Sequence, residues 1–349
     1  MIMRSRLLLI LLLGIAAALT LLKVPVAGSQ GITVVAARIT GDLPVDDPGS
    51  LLWLRATAVN VPLSAQNVAR PLMLNPSIRS VTVRALHNGS QIALLVEWQD
   101  STMNDSMVRV QDFPDGAAVQ FALTDGALHF CMGQEDGNVN IWHWKADWQA
   151  DVNARRDVED VYTAMHVDYY PFTDEGRTDA LYLPAQAVGN PFASAARLSP
   201  VENLIAGGFG TLTSQAPERQ NVQGHGVWAG GQWRTIFSRD LVSNEPADVS
   251  FAPGRVYPVA FAVWDGAHAE RNGQKSASQW VSLRVERGTD AAPREPGSEP
   301  SVAVREPTTS GSEGFAVMIL SVLAANVLCV VPLVVGGLLM LGMLQGKRS

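Results

Sequence analysis

Seven short runs of strand character recur along residues 32–286, each separated from the next by turn residues. They are ITVVAARI (32–39), SVTVRALHN (80–88), QIALLVEWQD (91–100), AAVQFALT (117–124), GQWRTIFSRDL (231–241), VYPVAFAVWDG (256–266) and SQWVSLRVE (278–286). Several alternate apolar with polar residues, which is the period of a strand with one face buried. HNGS, between the second and third runs, is a hairpin signal, because Asn-Gly supplies the positive φ that a two-residue turn requires. Long amphipathic helical stretches are nearly absent, the exception lying around 145–165. The pattern predicts an all-β domain, a β-sandwich. Residues 168–222 are less regular and are expected to form long loops, where sites are usually built.

Charge divides the chain. No Asp or Glu falls in 1–28 or 315–349, where five basic residues do, so residues 29–314 carry 21 basic and 33 acidic side chains, a net of −12. So acidic a body excludes nucleic acid as a partner, since phosphate contacts need clustered Lys and Arg. The 47% hydrophobic content and nine Trp exclude general disorder. Residues 7–22 are an uninterrupted apolar run behind Arg4 and Arg6, so 1–28 reads as a signal peptide or an N-terminal anchor. Residues 315–344 contain no charge and are long enough to span a bilayer as one transmembrane helix. Lys347 and Arg348, in the tail 345–349, place that tail in the cytoplasm and the acidic body on the outer face of the membrane. Between body and span, 288–314 is rich in Pro, Ser, Gly and Glu and reads as an extended linker. The folded domain is therefore 29–287.

Two cysteines, Cys131 and Cys329, are too few for a disulfide framework, a Cys-rich zinc site or an iron–sulfur cluster, and no Cys-x-x-Cys-His occurs for covalent haem. The lysine count is more informative. Residues 29–314 contain 19 Arg but two Lys, Lys145 and Lys275. Arg keeps its proton, whereas a buried Lys can lose it and offer a lone pair. Lys145 lies in FCMGQEDGNVNIWHWKADWQ (130–149) and Lys275 in FAVWDGAHAERNGQKSASQW (261–280). Met132, beside Gly133, fits a core position; it also fits a ligand role, since thioether and neutral amine both bind haem iron.

These two segments, with LLVEWQDSTMND (94–105) and GHGVWAGGQWRTIFSRDL (224–241), resemble in residues and in order the haem b subunit of type II enzymes of the dimethyl sulfoxide reductase family. The resemblance spans about 35–287. It implies a β-sandwich with long loops holding one non-covalent haem b between a Met and a Lys. Met132 matches the Met, and Lys275 is the chosen amine, with Lys145 as its competitor only 13 residues from Met132. Trp144, Asn272 and Gln274 are the further expected haem-binding residues. The implied function is electron relay without catalysis, between the iron–sulfur subunit of a molybdenum oxidoreductase complex and a membrane quinone-linked or periplasmic cytochrome carrier. The C-terminal span departs from the many soluble members of that family and suggests a complex held at the membrane.

Other chemistry finds less support. His87, His129, His143, His166, His225 and His268 lack metal-protease spacing; His143 and His225 fall within the resembling motifs, where a place near haem propionates is the alternative to the structural one expected for each. The acids between Glu135 and Asp160 lack the EF-hand pattern. No Ser nucleophile elbow or phosphate loop is present. The rival reading is a membrane-anchored β-sandwich that binds carbohydrate or another small ligand, which would be colourless and display exposed Trp.

Overall fold

A computed structural model describes residues 31–123, 132–134, 137–165, 183–190, 193 and 197–288. They all belong to one compact unit, Met1–Arg294. The segment 1–28, the linker from 289 onward, the apolar segment 315–344 and the tail 345–349 lie outside the described residues, as do Cys131 and most of 168–196. Among the described residues no helix is long and apolar enough to cross a membrane.

The domain is built from fourteen strands: β1 (Thr33–Arg38), β2 (Val59–Pro62), β3 (Ser64–Ala65), β4 (Ser80–His87), β5 (Gln91–Gln99), β6 (Gly116–Ala122), β7 (Val139–Lys145), β8 (Val201–Ala206), β9 (Thr213–Ser214), β10 (Gln223–Ala229), β11 (Gln232–Asp240), β12 (Val256–Trp264), β13 (Ser276–Ala277) and β14 (Val281–Val285). The principal helix, α1 (Ala146–Asn153), follows β7 directly. All seven expected strands form, each trimmed by a few residues at its ends. Sequence reading missed β2, β3, β7, β8, β9, β10 and β13: β8 and β9 lay inside the stretch read as loop, and β7 was dominated by its aromatic and basic residues.

The strands join in one continuous mixed sheet in the order β10-β11-β5-β4-β1-β14-β12-β6-β7-β8-β9, so the ladder is not divided into two separate sheets. β1 is parallel to both β4 and β14, and the other pairings are antiparallel. The expected hairpin joins β4 to β5, where Asn88 Oδ1 accepts from the amides of Ser90 and Gln91 and Gly89 takes φ 100°. Gly230 and Gly231, at φ 61° and 77°, make the corresponding turn between β10 and β11.

The sheet doubles back on itself. Trp144 on β7 packs against Trp98 on β5 and Trp233 on β11, with ring centroids 6.2 and 4.9 Å apart, although β7 stands far from both in strand order. The main core fills the space between these facing layers with Trp98, Phe121, Trp142, Trp144, Trp233, Phe237, Phe251 and Phe261. Side chains alternate across a strand, so residues next to these aromatics point outward. On β6, β7, β8 and β12 the outward residues include a small and apolar set: Ala118, Ile141, Leu204, Ala262 and Trp264 form a second cluster on that outer surface. The functional cavity lies over it.

Candidate functional site

The floor of the cavity is the outer face of β12, β6, β7 and β8. Ala118 from β6, Ile141 and His143 from β7, Leu204 from β8, and Ala260, Ala262 and Trp264 from β12 line a space of about 450 Å³. Three alanines here leave room where their larger neighbours in sequence fill the core. The walls are loops: Gln66, Ala69, Arg70 and Pro71 on one side, Phe209, Gly210 and Leu212 on another, and Asn272, Gly273, Lys275, Ala277, Ser278 and Trp280 on a third. Arg70, Phe209, Leu212 and Asn272 are exposed and form the mouth. None of these lining residues is acidic.

Met132 reaches the cavity from the segment before β7. Its carbonyl accepts from the Gly208 amide at 2.8 Å, which ties it to the end of β8. Gly133 permits this approach: it sits at φ 79°, and a Cβ there would meet the carbonyl oxygens of Gly137 and Ala206 at 2.7 and 2.9 Å. Met132 also packs against the outer cluster.

Lys275 enters from the opposite side of the floor, on the turn between β12 and β13, and is buried at 8% exposure. Its carbonyl accepts from the Gln66 amide at 3.0 Å. The fully buried Gln66 side chain locks the two loops together. Its Nε2 donates to the carbonyls of Ala69 and Gly273 at 2.9 and 2.8 Å, and its Oε1 accepts from the amides of Val68 and Ala69. The Lys275 Nζ lies 5.0 Å from the centre of the Trp264 ring. Trp264 is itself held by donation from Nε1 to the Asn272 carbonyl at 3.1 Å, with Asn272 in the left-handed region at φ 54°. The His143 ring lies 4.6 Å from the other side-chain partner of this group, Trp264. Burial, followed by the nearby charges of Lys145 and Lys275, holds the His143 imidazole well below its usual range, so it is neutral at physiological pH.

The cavity therefore brings together Met132, Lys275 and Asn272. It does not include the other three residues singled out from the sequence. Trp144 sits on the opposite face of β7 from His143, in the core, where its Nε1 donates to Gln149 Oε1 at 3.3 Å. Strand alternation requires this once His143 faces outward. Gln274 accepts from Arg271 at 3.1 Å and is not part of the lining. Lys145 ion-pairs with the buried carboxylate of Glu202, and its ammonium lies 4.0 Å from the centre of the Trp148 ring. Sequence reasoning missed Gln66, Arg70, Phe209 and Trp280, and preferred a structural place for His143 over one beside the cofactor. Its alternation with Trp142 and Trp144 was the available signal that His143 faces away from the core.

The profile of the ethylbenzene dehydrogenase family matches residues 50–276. A putative respiratory nitrate reductase heme subunit, ORF7 of Haloferax mediterranei, is 27% identical over 289 residues, covering 80% of this chain and 86% of that protein. The chlorate reductase subunit gamma of Ideonella dechloratans is 26% identical, with 74% and 89% covered, and the dimethylsulfide dehydrogenase subunit gamma of Rhodovulum sulfidophilum 27% identical, with 71% and 77% covered. Among solved structures, a family 9 carbohydrate-binding module of Caldicellulosiruptor kristjanssonii in complex with cellotriose superposes with a TM-score of 0.36 at 9% identity, covering 76% of this chain and 100% of that one. No ligand is inferred from so distant a likeness. With the profile matching across the strands and loops that build the cavity, the chain belongs to the ethylbenzene dehydrogenase family.

Proposed function

We propose that the chain is the electron-transfer subunit of an oxidoreductase complex, that its cavity holds one haem b, and that Met132 and Lys275 are the axial ligands. The observation that carries this reading is the meeting of a thioether and a buried amine, from distant segments, in one apolar cavity without acids. Relatives named as nitrate reductase heme and chlorate reductase gamma subunits support it.

The lining fits such a group. A volume of about 450 Å³ falls in the usual range for cofactor sites, roughly 300–1,000 Å³. β12 and β8 are separated by three strand spacings, or about 14 Å. Two long unbranched side chains starting near those strands can reach toward each other across that span. Arg70 at the mouth matches carboxylates, as the propionate edge of a haem requires. Bound haem would supply reversible one-electron chemistry at its iron.

The rest of the work belongs to the chain. Met132 contributes a neutral sulfur, which favours the reduced state. Lys275 would hold the group as the neutral amine, giving its proton to solvent on loading. The alanine floor, with Trp264, Trp280 and Phe209, would exclude water, and neutral His143 adds no charge to the cavity floor. Together these features set a reduction potential while leaving no acid–base pair for catalysis. The proposed partners are the iron–sulfur and molybdenum catalytic subunits of the same complex, with a cytochrome or quinone-linked carrier on the other side. The proposed setting is a β-sandwich on the outer face of the cytoplasmic membrane, anchored by 315–344.

The test is a visible spectrum of the full-length chain, air-oxidised and then dithionite-reduced, with a pyridine haemochrome assay. One haem b per chain with a low-spin spectrum is expected. Met132→Ala and Lys275→Ala should each empty the site or abolish the low-spin signature, and Lys145→Met should preserve it. A colourless protein after expression with ample haem would refute the reading. Loss of the low-spin spectrum in the Lys145 variant alone would transfer the ligand role to Lys145.

A further inference from the structure

Beyond the cavity, three buried carboxylates converge where three strands end. Asp100 follows β5, Asp115 precedes β6 and Asp265 follows β12, and one oxygen from each lies within 4.8 Å of the others. All three are buried, Asp115 completely. We propose that Asp100, Asp115 and Asp265 form a binding site for a hard divalent cation of the Ca²⁺ class, which ties the ends of β5, β6 and β12 together.

The hydrogen bonds leave one oxygen unaccounted for. Asp115 is satisfied: Oδ1 accepts from the Gly266 amide at 2.8 Å, and Oδ2 accepts from the Asn104 amide at 2.8 Å and Trp233 Nε1 at 2.9 Å. Asp265 accepts from the Ala267 amide through Oδ1 and faces His268 Nδ1 through Oδ2. Asp100 Oδ1 accepts from the amide and hydroxyl of Thr102. Asp100 Oδ2 is buried and makes no hydrogen bond of normal geometry; the donor that faces this carboxylate is the Trp98 indole, whose Nε1 is likewise left without a well-formed bond. A buried carboxylate oxygen is an expensive atom to leave unmatched, and a cation is the partner that also answers the next problem.

That problem is charge. Among the described residues no Lys or Arg forms an ion pair with any of the three; His268, largely exposed, is the one basic side chain there in contact, on Asp265. Three carboxylates against one imidazole leave a net of about −2 in a water-excluded space, which a divalent ion cancels. Glu270 adds to the imbalance: it is equally buried, its Oε2 accepts from the Asp265 amide, and the partner facing its carboxylate besides that amide is the neutral Ser77 hydroxyl.

The donor set selects the ion. Every candidate ligand is oxygen, which suits Ca²⁺, Mg²⁺ or Mn²⁺ rather than zinc or copper. The side-chain oxygens of Thr102 and Asn104, 2.9 Å apart, extend the oxygen surface on the Asp100 side. Three carboxylates fixed by their own backbone contacts form an irregular shell that Ca²⁺ accepts and octahedral Mg²⁺ does not. Asp265 also opens the turn that carries Asn272 and Lys275, so the ion would fix the base of that turn. The site stands whether or not the cavity holds haem.

The experiment uses the full-length chain stripped with EDTA and titrated with CaCl₂. Calorimetry should give one Ca²⁺ per chain, and a hundredfold excess over Kd should raise Tm by roughly 5–10 °C. Tb³⁺ should show luminescence sensitised by Trp excitation, because Trp233 touches Asp115, and Ca²⁺ should quench it by displacement. Asp100→Asn and Asp115→Asn should lose the Ca²⁺-dependent Tm rise while melting in EDTA no lower than the parent, since each removes an uncompensated charge. Should either variant fail to fold, the Tb³⁺ and Ca²⁺ titrations of the unaltered chain decide the matter. Absence of Ca²⁺ and Tb³⁺ binding by the unaltered chain would overturn the proposal, as would undiminished Ca²⁺ binding by both variants.

Discussion

Gly226→Ala puts one methyl group against the best-packed part of the molecule. A Cβ at this position in β10 would lie 2.3 Å from Trp144 Cζ2, 2.6 Å from Cε2 and 2.8 Å from Nε1. Carbon atoms in contact need about 3.5 Å, so the indole or the strand must move by about 1 Å. The indole has nowhere to go: Trp98 and Trp233 bracket it, and all three are buried. Moving the strand instead breaks the link through Gln149 Oε1, which accepts from the Gly226 amide at 2.6 Å and from Trp144 Nε1 at 3.3 Å. Overpacking costs about 1–3 kcal/mol and the hydrogen bond adds about 1, so the expected loss is roughly 2–4 kcal/mol. Urea unfolding followed by tryptophan fluorescence measures it directly. Because Trp144 faces the core and not the cavity, haem content of the folded fraction should be unchanged. A loss below about 0.5 kcal/mol would refute the packing argument. A loss of haem with stability intact would show that Trp144 serves the cavity after all.

Three further outcomes are expected. Lys145→Met leaves the Glu202 carboxylate buried without its partner and should cost about 3–5 kcal/mol in chemical denaturation, with Lys145→Met/Glu202→Gln recovering much of it. Asp248 accepts from Asn203, Gln215, Asn221 and Ser243 beside Arg239, and although burial alone would raise its carboxyl, those hydrogen bonds bring it below 3.8. The unfolded chain then takes up a proton there first, so stability should fall as pH drops through about 4, and Asp248→Asn should flatten that acid limb in pH-dependent melts. Ala118→Leu fills the cavity floor from β6; haem affinity should fall at least about tenfold, read by haem transfer, with the apoprotein's Tm unchanged or raised.

The sequence carried the strands well because alternation and turn chemistry are local properties. The scarcity of Lys and the motifs around Met132 and Lys275 pointed to two residues that both line the cavity. The sequence could not carry Gln66 or Arg70, which reach the cavity through the pairing of β3 with β13, a contact between residues more than two hundred positions apart. The carboxylate trio was hidden for the same reason. Asp100, Asp115 and Asp265 each look like an ordinary acid at a strand end, and their convergence exists only once β12 pairs with β6. Trp144 was misplaced because proximity to Lys145 and Met132 in sequence says nothing about which face of β7 it occupies.

That division between faces explains how one strand set serves both stability and the site. On β7, Trp142 and Trp144 fill the core while Ile141 and His143 line the cavity. On β12, Val259 and Val263 pack inward while Ala260 and Ala262 leave space outside. A flat cofactor needs a broad, small-residue floor, and a two-layer β domain can provide one only on an outer face, since its interior must be packed to support the layers. Under the proposed reading the ligands would come from loops rising at the floor's edges, and Met132 and Lys275 line the cavity from such loops. Enlarging the outer alanines should therefore affect ligand binding first and stability least, whereas even one carbon added between the layers at Gly226 should do the reverse.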